Sequence, residues 1–253
     1  MQSGFLTVTP IVLIPARLAS TRLPGKPLAM IGDAPMIVQV WRRAVAAAVG
    51  PVAVACAEPE IAAAVEAAGG RAVLTRPDHP SGSDRIFEAL QTLDGAARHD
   101  VVVNLQGDLP LIDPAAIRAA LLPLDDAAVD IATLAAPIDD PRDLAADSVV
   151  KIAAGFAPGA RVARALYFSR LAIPWGAGER YHHIGLYAYR RAALARFVAL
   201  PPGVLEARER LEQLRALEAG MRIAVALVDT VPLGVDTPDD LARARALFAS
   251  AAP

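Results

Sequence analysis

The chain has 253 residues, of which 55% are hydrophobic and 21% charged, so it holds ample material for a buried core and lacks the signature of disorder. A formal net charge of −2 argues against a nucleic-acid partner, which needs a basic face, but leaves room for a local basic pocket. The length suits one domain over residues 1–253 carrying a small insertion.

Residues 1–9 have neither a basic start nor a small-residue cleavage site, so no signal peptide is expected. The run 11–14 reads as a short strand ending at Pro15. Residues 35–48 have helical periodicity, with Pro35 placed as a first-turn proline. The apolar stretch 44–57 is broken by Gly50 and Pro51 and falls short of the ~20 residues a membrane span needs, so no membrane partner is expected. A strand over 52–56 contains Cys56, which reads as a small core residue. It is the sole cysteine, so no internal disulfide forms, which fits a reducing, cytoplasmic location.

A helix over 59–68, closed by Gly69 and Gly70, and a strand over 71–74 follow. The spacing then predicts a helix over 83–93 with Ser83 as N-cap, a buried strand over 101–105, and a helix from Asp113 and Pro114 to about Leu122. Residues 130–135 form another strand. Such alternation implies an α/β fold with a mostly parallel sheet covered on both faces, a three-layer α/β/α arrangement of Rossmann-like type. Ligands of such sheets bind beyond the C-terminal strand ends, which directs attention to the loops after Ile14, Leu74 and Leu105. The pattern loosens over 137–190, with short pieces at 149–153, 163–168 and 184–189, read as an inserted mixed subdomain. Helices are expected at 191–199 and 204–219, a strand at 223–228, and a last helix at 237–249 with Thr237, Pro238 and Asp240 as a capping box.

Three segments carry chemistry. Residues 14–28 follow the first strand and place Arg17, Arg22 and Lys26, with Ser20 and Thr21, in a loop stiffened by three prolines. A triphosphate needs several cationic donors held rigidly, and this loop has neither the Walker nor the dinucleotide glycine spacing. Only two of the 25 basic residues are lysines, Lys26 and Lys151, which gives both some weight. Residues 104–112 follow a buried strand and offer Asp108 at its C-terminal end, where a carboxylate can bind Mg²⁺ together with phosphate oxygens, and Gly107 permits close backbone approach. In 234–241, Asp239 and Asp240 suit the first turn of a helix, whereas Asp236 precedes the cap and is the candidate second metal ligand.

Together these segments resemble the 3-deoxy-manno-octulosonate (Kdo) cytidylyltransferases, nucleotide-diphospho-sugar transferase-type enzymes also called CMP-Kdo synthetases. The resemblance runs nearly end to end. It rests first on Pro15-Ala16-Arg17-Leu18-Ala19-Ser20-Thr21-Arg22-Leu23-Pro24-Gly25-Lys26-Pro27-Leu28. Support comes from His79-Pro80-Ser81-Gly82-Ser83-Asp84-Arg85, Phe168-Ser169-Arg170, 183–190, 211–215 and Val235-Asp236-Thr237-Pro238. The resemblance implies transfer of CMP from CTP to Kdo for lipopolysaccharide synthesis, dependence on Mg²⁺, and a homodimer with 137–190 as candidate interface. It assigns Arg17 and Lys26 to the triphosphate and Asp108 and Asp236 to the metal, the four catalytic positions. It assigns Pro15, Ala16, Ser81, Gly82, Arg85 and Gln106 to the nucleotide, and Arg22, His183, Tyr187, Glu212 and Gln213 to the sugar acid. Of Tyr187 and Tyr189, which share a strand face, at least one is expected to be core.

Leu109 stands where the family has Glu, a departure expected to affect loop stability rather than catalysis because Asp108 is intact. The 8-amino analogue of Kdo and sialic acid are rival substrates. A non-catalytic CTP-binding homologue is the rival class, encouraged only by Leu109.

Overall fold

The computed structural model describes residues 8–20 and 22–251; Thr21 and the first seven residues, for which a loop donor and no signal peptide were expected, lie outside them. In chain order the elements begin with β1 (Pro10–Ala16), β2 (Met30–Ile31), β3 (Ala34–Pro35), α1 (Met36–Ala47), β4 (Val52–Cys56), α2 (Pro59–Ala67) and β5 (Arg71–Leu74). They continue with α3 (Gly82–Leu93), β6 (Val101–Asn104), α4 (Pro114–Ala119), β7 (Ile131–Pro137), α5 (Pro141–Ala145), β8 (Lys151–Ala154) and β9 (Val162–Ser169). The last are β10 (Tyr181–Arg190), α6 (Arg191–Val198), α7 (Val204–Glu209), α8 (Leu214–Glu218), β11 (Ile223–Leu227) and α9 (Pro238–Ala251). None of the helices among the described residues is long and apolar enough to cross a membrane.

The chain forms two compact units. The first comprises Thr9–Ile117 and the segment from Pro232 onward. Its main strands run β5-β4-β1-β6, all parallel, as the strand–helix alternation predicted, and β2 and β3 form a separate short antiparallel pair. Val12, Leu13 and Ile14 of β1 and Val101–Val103 of β6 are fully buried, which is why these strands read as continuous apolar runs rather than alternating ones. Cys56 is a buried core residue of β4, and burial pushes its thiol up to about 11.

A small satellite core in this unit joins the chain's early and late parts. Ile31 and Met36 pack with Val235, Leu241 and Ala244, and Leu23, Ala29 and Leu233 border them. The predicted capping box starts α9: Thr237 Oγ1 accepts from the Asp240 amide at 3.2 Å, and Asp240 accepts from the Thr237 amide at 2.9 Å.

The second unit, Arg118–Val231, contains all of 137–190. Its strands run β10-β7-β11-β9-β8 and are mixed, as read for 137–190: only β7 and β11 pair parallel, while the other neighbours are antiparallel. The short strands β8 and β9 are joined without a crossover helix, so they can return only antiparallel.

Three local expectations are corrected. Ser81, not Ser83, caps α3: Ser81 Oγ accepts from the Asp84 amide, whereas Ser83 is buried in the first turn. Pro35 is the N-cap of α1 rather than a residue of its first turn. The helix expected over 204–219 is two, α7 and α8, because Arg210 adopts a left-handed φ of 57° that stops the first.

Candidate active site

A cleft of about 730 Å³ opens in the first unit at the C-terminal ends of β1 and β6. Pro15, Ala16, Arg17, Arg22, Lys26, Ser81, Gly82, Arg85, Gln106 and Asp108 all line it. Every nucleotide-side position expected from the sequence therefore reaches one cavity, together with Gly107, expected to permit close backbone approach, and His79, which had no assigned role.

Backbone geometry explains this convergence. Gly25 has φ 68°, a left-handed conformation that glycine adopts without strain, and it starts the 3-10 turn Lys26–Leu28. Lys26 is thereby placed at a turn start instead of in a trailing loop. On the other wall, a Cβ added at Gly107 would lie 2.8 Å from the Pro15 carbonyl oxygen, so only glycine lets the 106–108 loop settle against the end of β1. The Leu18 amide donates to Glu58 Oε2 at 3.0 Å and anchors the start of the cationic loop.

At the centre of the cleft the Lys26 ammonium donates to Asp108 Oδ2 at 3.1 Å and to Asp236 Oδ1 at 2.9 Å. Arg22 reaches the other oxygen of Asp236 at 3.0 Å. The Val235 amide donates to the Asp108 carbonyl at 2.9 Å, so the two aspartate-bearing segments are also tied through the backbone. Burial alone would lower the Lys26 pKa, but the two carboxylates outweigh it and the net shift is upward. Lys26 is thus firmly protonated and partly neutralises the pair.

This donor set fits Mg²⁺. Two carboxylates already share one cation, and Asp236 keeps 47% of its side-chain surface exposed. Magnesium takes one or two carboxylates and completes its octahedron with phosphate oxygens and water. Among the described residues there is no cluster of three or more His, Cys, Asp or Glu side chains, so a binding mode dependent on substrate oxygens is the one the residues allow.

Not all cleft residues point their polar groups inward. Arg85 donates to Thr75 Oγ1 at 2.6 Å and to the Arg76 and Pro77 carbonyls at 3.1 and 3.4 Å. Burial lowers its pKa. Its guanidinium therefore ties down the 75–77 loop while its stem forms cleft wall. Ser81 is engaged with Asp84, and Gln106 Nε2 donates to Asn104 Oδ1 at 3.3 Å. Leu109 is 8% exposed, packed into the core rather than turned to solvent, as expected of a loop-stabilising position.

The second unit holds the remaining expected positions, His183, Tyr187, Glu212 and Gln213. His183 is buried between Phe168 and Tyr187, with ring centroids 4.8 and 5.6 Å away. Burial pushes its pKa down to about 3, so the imidazole is neutral. Burial also holds the Tyr187 phenol well above its ordinary value. Tyr189 is the core tyrosine of the two, 2% exposed and stacked near Phe197. Gln213 is buried, and its Nε2 has no hydrogen-bond partner among the described residues. An orphaned buried donor costs roughly 1–3 kcal/mol, a cost a ligand oxygen would remove.

Glu209 holds the chain just ahead of Gln213. It accepts from Ser169 Oγ at 2.8 Å and the Arg170 amide at 3.1 Å. Lys151, the other retained lysine, is structural: it is fully buried and donates to the Ala146 and Arg170 carbonyls at 2.7 and 2.9 Å. A compact ammonium fits between two carbonyls where a planar guanidinium would not.

Comparison with known proteins agrees with this geometry. The profile of the cytidylyltransferase family matches residues 11–223. A 3-deoxy-manno-octulosonate cytidylyltransferase from Methylobacterium radiotolerans is 67% identical, over 94% of this chain and 96% of its own. The enzyme of the same name from Paramagnetospirillum magneticum is 62% identical, over 95% and 98%. Among solved structures, a CMP:2-keto-3-deoxy-manno-octonic acid synthetase complexed with CTP matches with a TM-score of 0.88 and 40% identity, covering 96% of this chain and 99% of that one.

Proposed function

Because the chain belongs to the 3-deoxy-manno-octulosonate cytidylyltransferase family, we propose that it transfers CMP from CTP to Kdo, giving CMP-Kdo and pyrophosphate for lipopolysaccharide synthesis. The observation that carries this reading is the meeting of Asp108 and Asp236 on one ammonium inside a cleft rich in cations. Such a constellation suits a triphosphate and a divalent ion better than any neutral ligand.

In this mechanism the anomeric hydroxyl of Kdo attacks the α-phosphorus of CTP. A new P–O bond forms, the bond to the β-phosphate oxygen breaks, and the hydroxyl proton is lost. Arg17 and Lys26 stabilise charge on the triphosphate, and Pro15 and Ala16 bring backbone close to the nucleotide. Asp108 and Asp236 would hold Mg²⁺, which supplies charge neutralisation on phosphate oxygens. No side chain forms a covalent intermediate. The family resemblance assigns Arg22 of the first unit, and His183, Tyr187, Glu212 and Gln213 of the second, to the sugar acid, with positioning as the main contribution to rate.

Finer aspects of the reading follow. The parallel strands β5-β4-β1-β6 with their crossover helices are the Rossmann-like half of the fold. A homodimer through 137–190 is supported by Leu166, Leu171 and Trp175, which lie in that segment and are 61%, 70% and 99% exposed. A cytoplasmic location is supported by the single, inert Cys56.

Pyrophosphate release, measured with Kdo, its 8-amino analogue and sialic acid against each nucleoside triphosphate, tests the reading. Turnover is expected with CTP and Kdo. Turnover confined to another acid sugar would reassign the substrate. Calorimetric CTP binding without product from any sugar would make the chain a non-catalytic binder.

A further inference from the structure

His183 projects from β10, and its Nε2 lies 3.0 Å from Thr133 Oγ1 on the paired strand β7. The same hydroxyl lies 2.9 Å from the Leu186 carbonyl oxygen and 3.2 Å from that of Ile184. Both carbonyls sit at the register shift between Ile184 and Tyr187, where the ladder is interrupted and backbone groups need other partners. Thr133 is fully buried, so water does not satisfy any of them.

A threonine hydroxyl has one proton and two lone pairs. If the proton went to His183, two carbonyl oxygens would face the hydroxyl oxygen at hydrogen-bond distance with no hydrogen between them. In a buried site that repulsion is strong. Directing the proton to a carbonyl relieves it at that oxygen, and then the neutral ring must be the donor. We infer that Thr133 is a positioning residue that locks His183 in the Nε2–H tautomer and leaves Nδ1 as a hydrogen-bond acceptor. Nδ1 has no hydrogen-bond partner among the described residues. The ring stays uncharged because burial holds its pKa near 3.

The consequence concerns specificity, and it rests on the reading of His183 as a sugar-facing side chain. A lone pair on Nδ1 accepts from a hydroxyl and repels a carboxylate or phosphate oxygen. His183 therefore recognises a sugar hydroxyl, and the sugar's carboxylate must be held elsewhere by a cation.

Long-range ¹H–¹⁵N correlation of the ¹⁵N-histidine-labelled full chain reads the tautomer directly. The four histidines are assigned with a His183→Gln variant. In the parent protein, Nδ1 of His183 is expected at the unprotonated position and Nε2 at the protonated one. Thr133→Val keeps the shape and removes the hydroxyl. It should draw the two signals together and raise KM for Kdo by about tenfold, the loss of one oriented hydrogen bond, with KM for CTP within about twofold. Thr133→Ser should restore both, which separates the lock from mere packing. A protonated Nδ1 in the parent, or an unchanged spectrum in Thr133→Val, overturns the lock. The expected spectra with an unchanged KM for Kdo would keep the lock and overturn the sugar-facing reading of His183.

Discussion

The two units present opposite chemistry. The cleft of the first unit is charged and open: Arg22 has 65% of its side chain exposed, and Lys26, Asp108 and Asp236 form a shared ion pair at the centre. The cluster in the second unit is mostly uncharged, with His183 and Gln213 buried and Tyr187 neutral, and Glu212 adds a carboxylate whose charge acts on Tyr187. Charge suits phosphates and metal, for which solvated ions compete and long-range attraction helps. Neutral, desolvated donors and acceptors suit hydroxyls, which are distinguished by the direction of each hydrogen bond rather than by charge. On the proposed reading, affinity for the nucleotide is mainly electrostatic, and selectivity for the sugar depends mainly on the direction of hydrogen bonds.

Substitutions break the two halves differently. Asp108→Asn should lower turnover about 10³-fold with an unchanged melting temperature, since it removes a carboxylate needed for charge neutralisation while keeping the shape. Near-normal CMP-Kdo formation by this variant would take Asp108 out of the mechanism. Lys26→Met should lower kcat/KM for CTP about 10²-fold and steepen the dependence on added Mg²⁺, because the two carboxylates lose their resident cation. Titrating Mg²⁺ at fixed CTP checks it.

On the neutral side, Gln213→Leu should raise KM for Kdo about tenfold yet stabilise the free protein by about 1 kcal/mol, since an orphaned donor disappears. Paired melting and kinetic measurements read both signs, and a destabilised variant would show that the amide has a partner in the free protein. The pH response sharpens the contrast further. His183 binds a proton near 6.5 when unfolded but only near 3 when folded. Between those values the unfolded chain holds the extra proton, so acidification through this window favours unfolding. His183→Asn should flatten the fall in melting temperature from about pH 6.5 to about pH 4 relative to the parent. An identical slope would mean the ring is not buried neutral. The smallest effect belongs to Leu109→Glu, expected to change turnover by less than about threefold because Asp108 carries the chemistry at that loop. A larger gain in the pyrophosphate assay would show that the carboxylate contributes.

Much of this was legible in the sequence, for identifiable reasons. Strands 52–56 and 71–74 were bounded by prolines and glycines and appear with the same limits. The parallel half followed from its strand–helix rhythm. In the second unit the mixed character of 137–190 was legible from its loss of rhythm, but the pairing order of β8, β9 and β10 was not, because their short runs carry no strong period. The break at Arg210 was hidden: apolar spacing continues across it, and the turn is imposed by tertiary bonds to neighbouring Glu209. The position of Ser83 before the periodic run suited an N-cap, whereas the helix starts earlier and Ser81 caps it. The cationic loop and Asp108 stood out by residue type and position, and Asp236 stood out because it precedes the cap of the last helix. Thr133 gave a weaker signal, a lone hydroxyl inside the apolar run 130–135 whose partners only the bulge reveals.

The satellite core that seats Val235 beside Ile31 and Met36 has a bearing on biosynthesis. Asp236 is 210 positions beyond Lys26. A ribosome-bound chain displays the cationic loop and the first acid long before the second acid has been translated. Domains fold as they emerge, so the parallel strands can settle before this core closes. A nonsense or frameshift lesion upstream of Val235 removes both Asp236 and the residues that close the core, so a shortened chain cannot complete the ion pairs around Lys26.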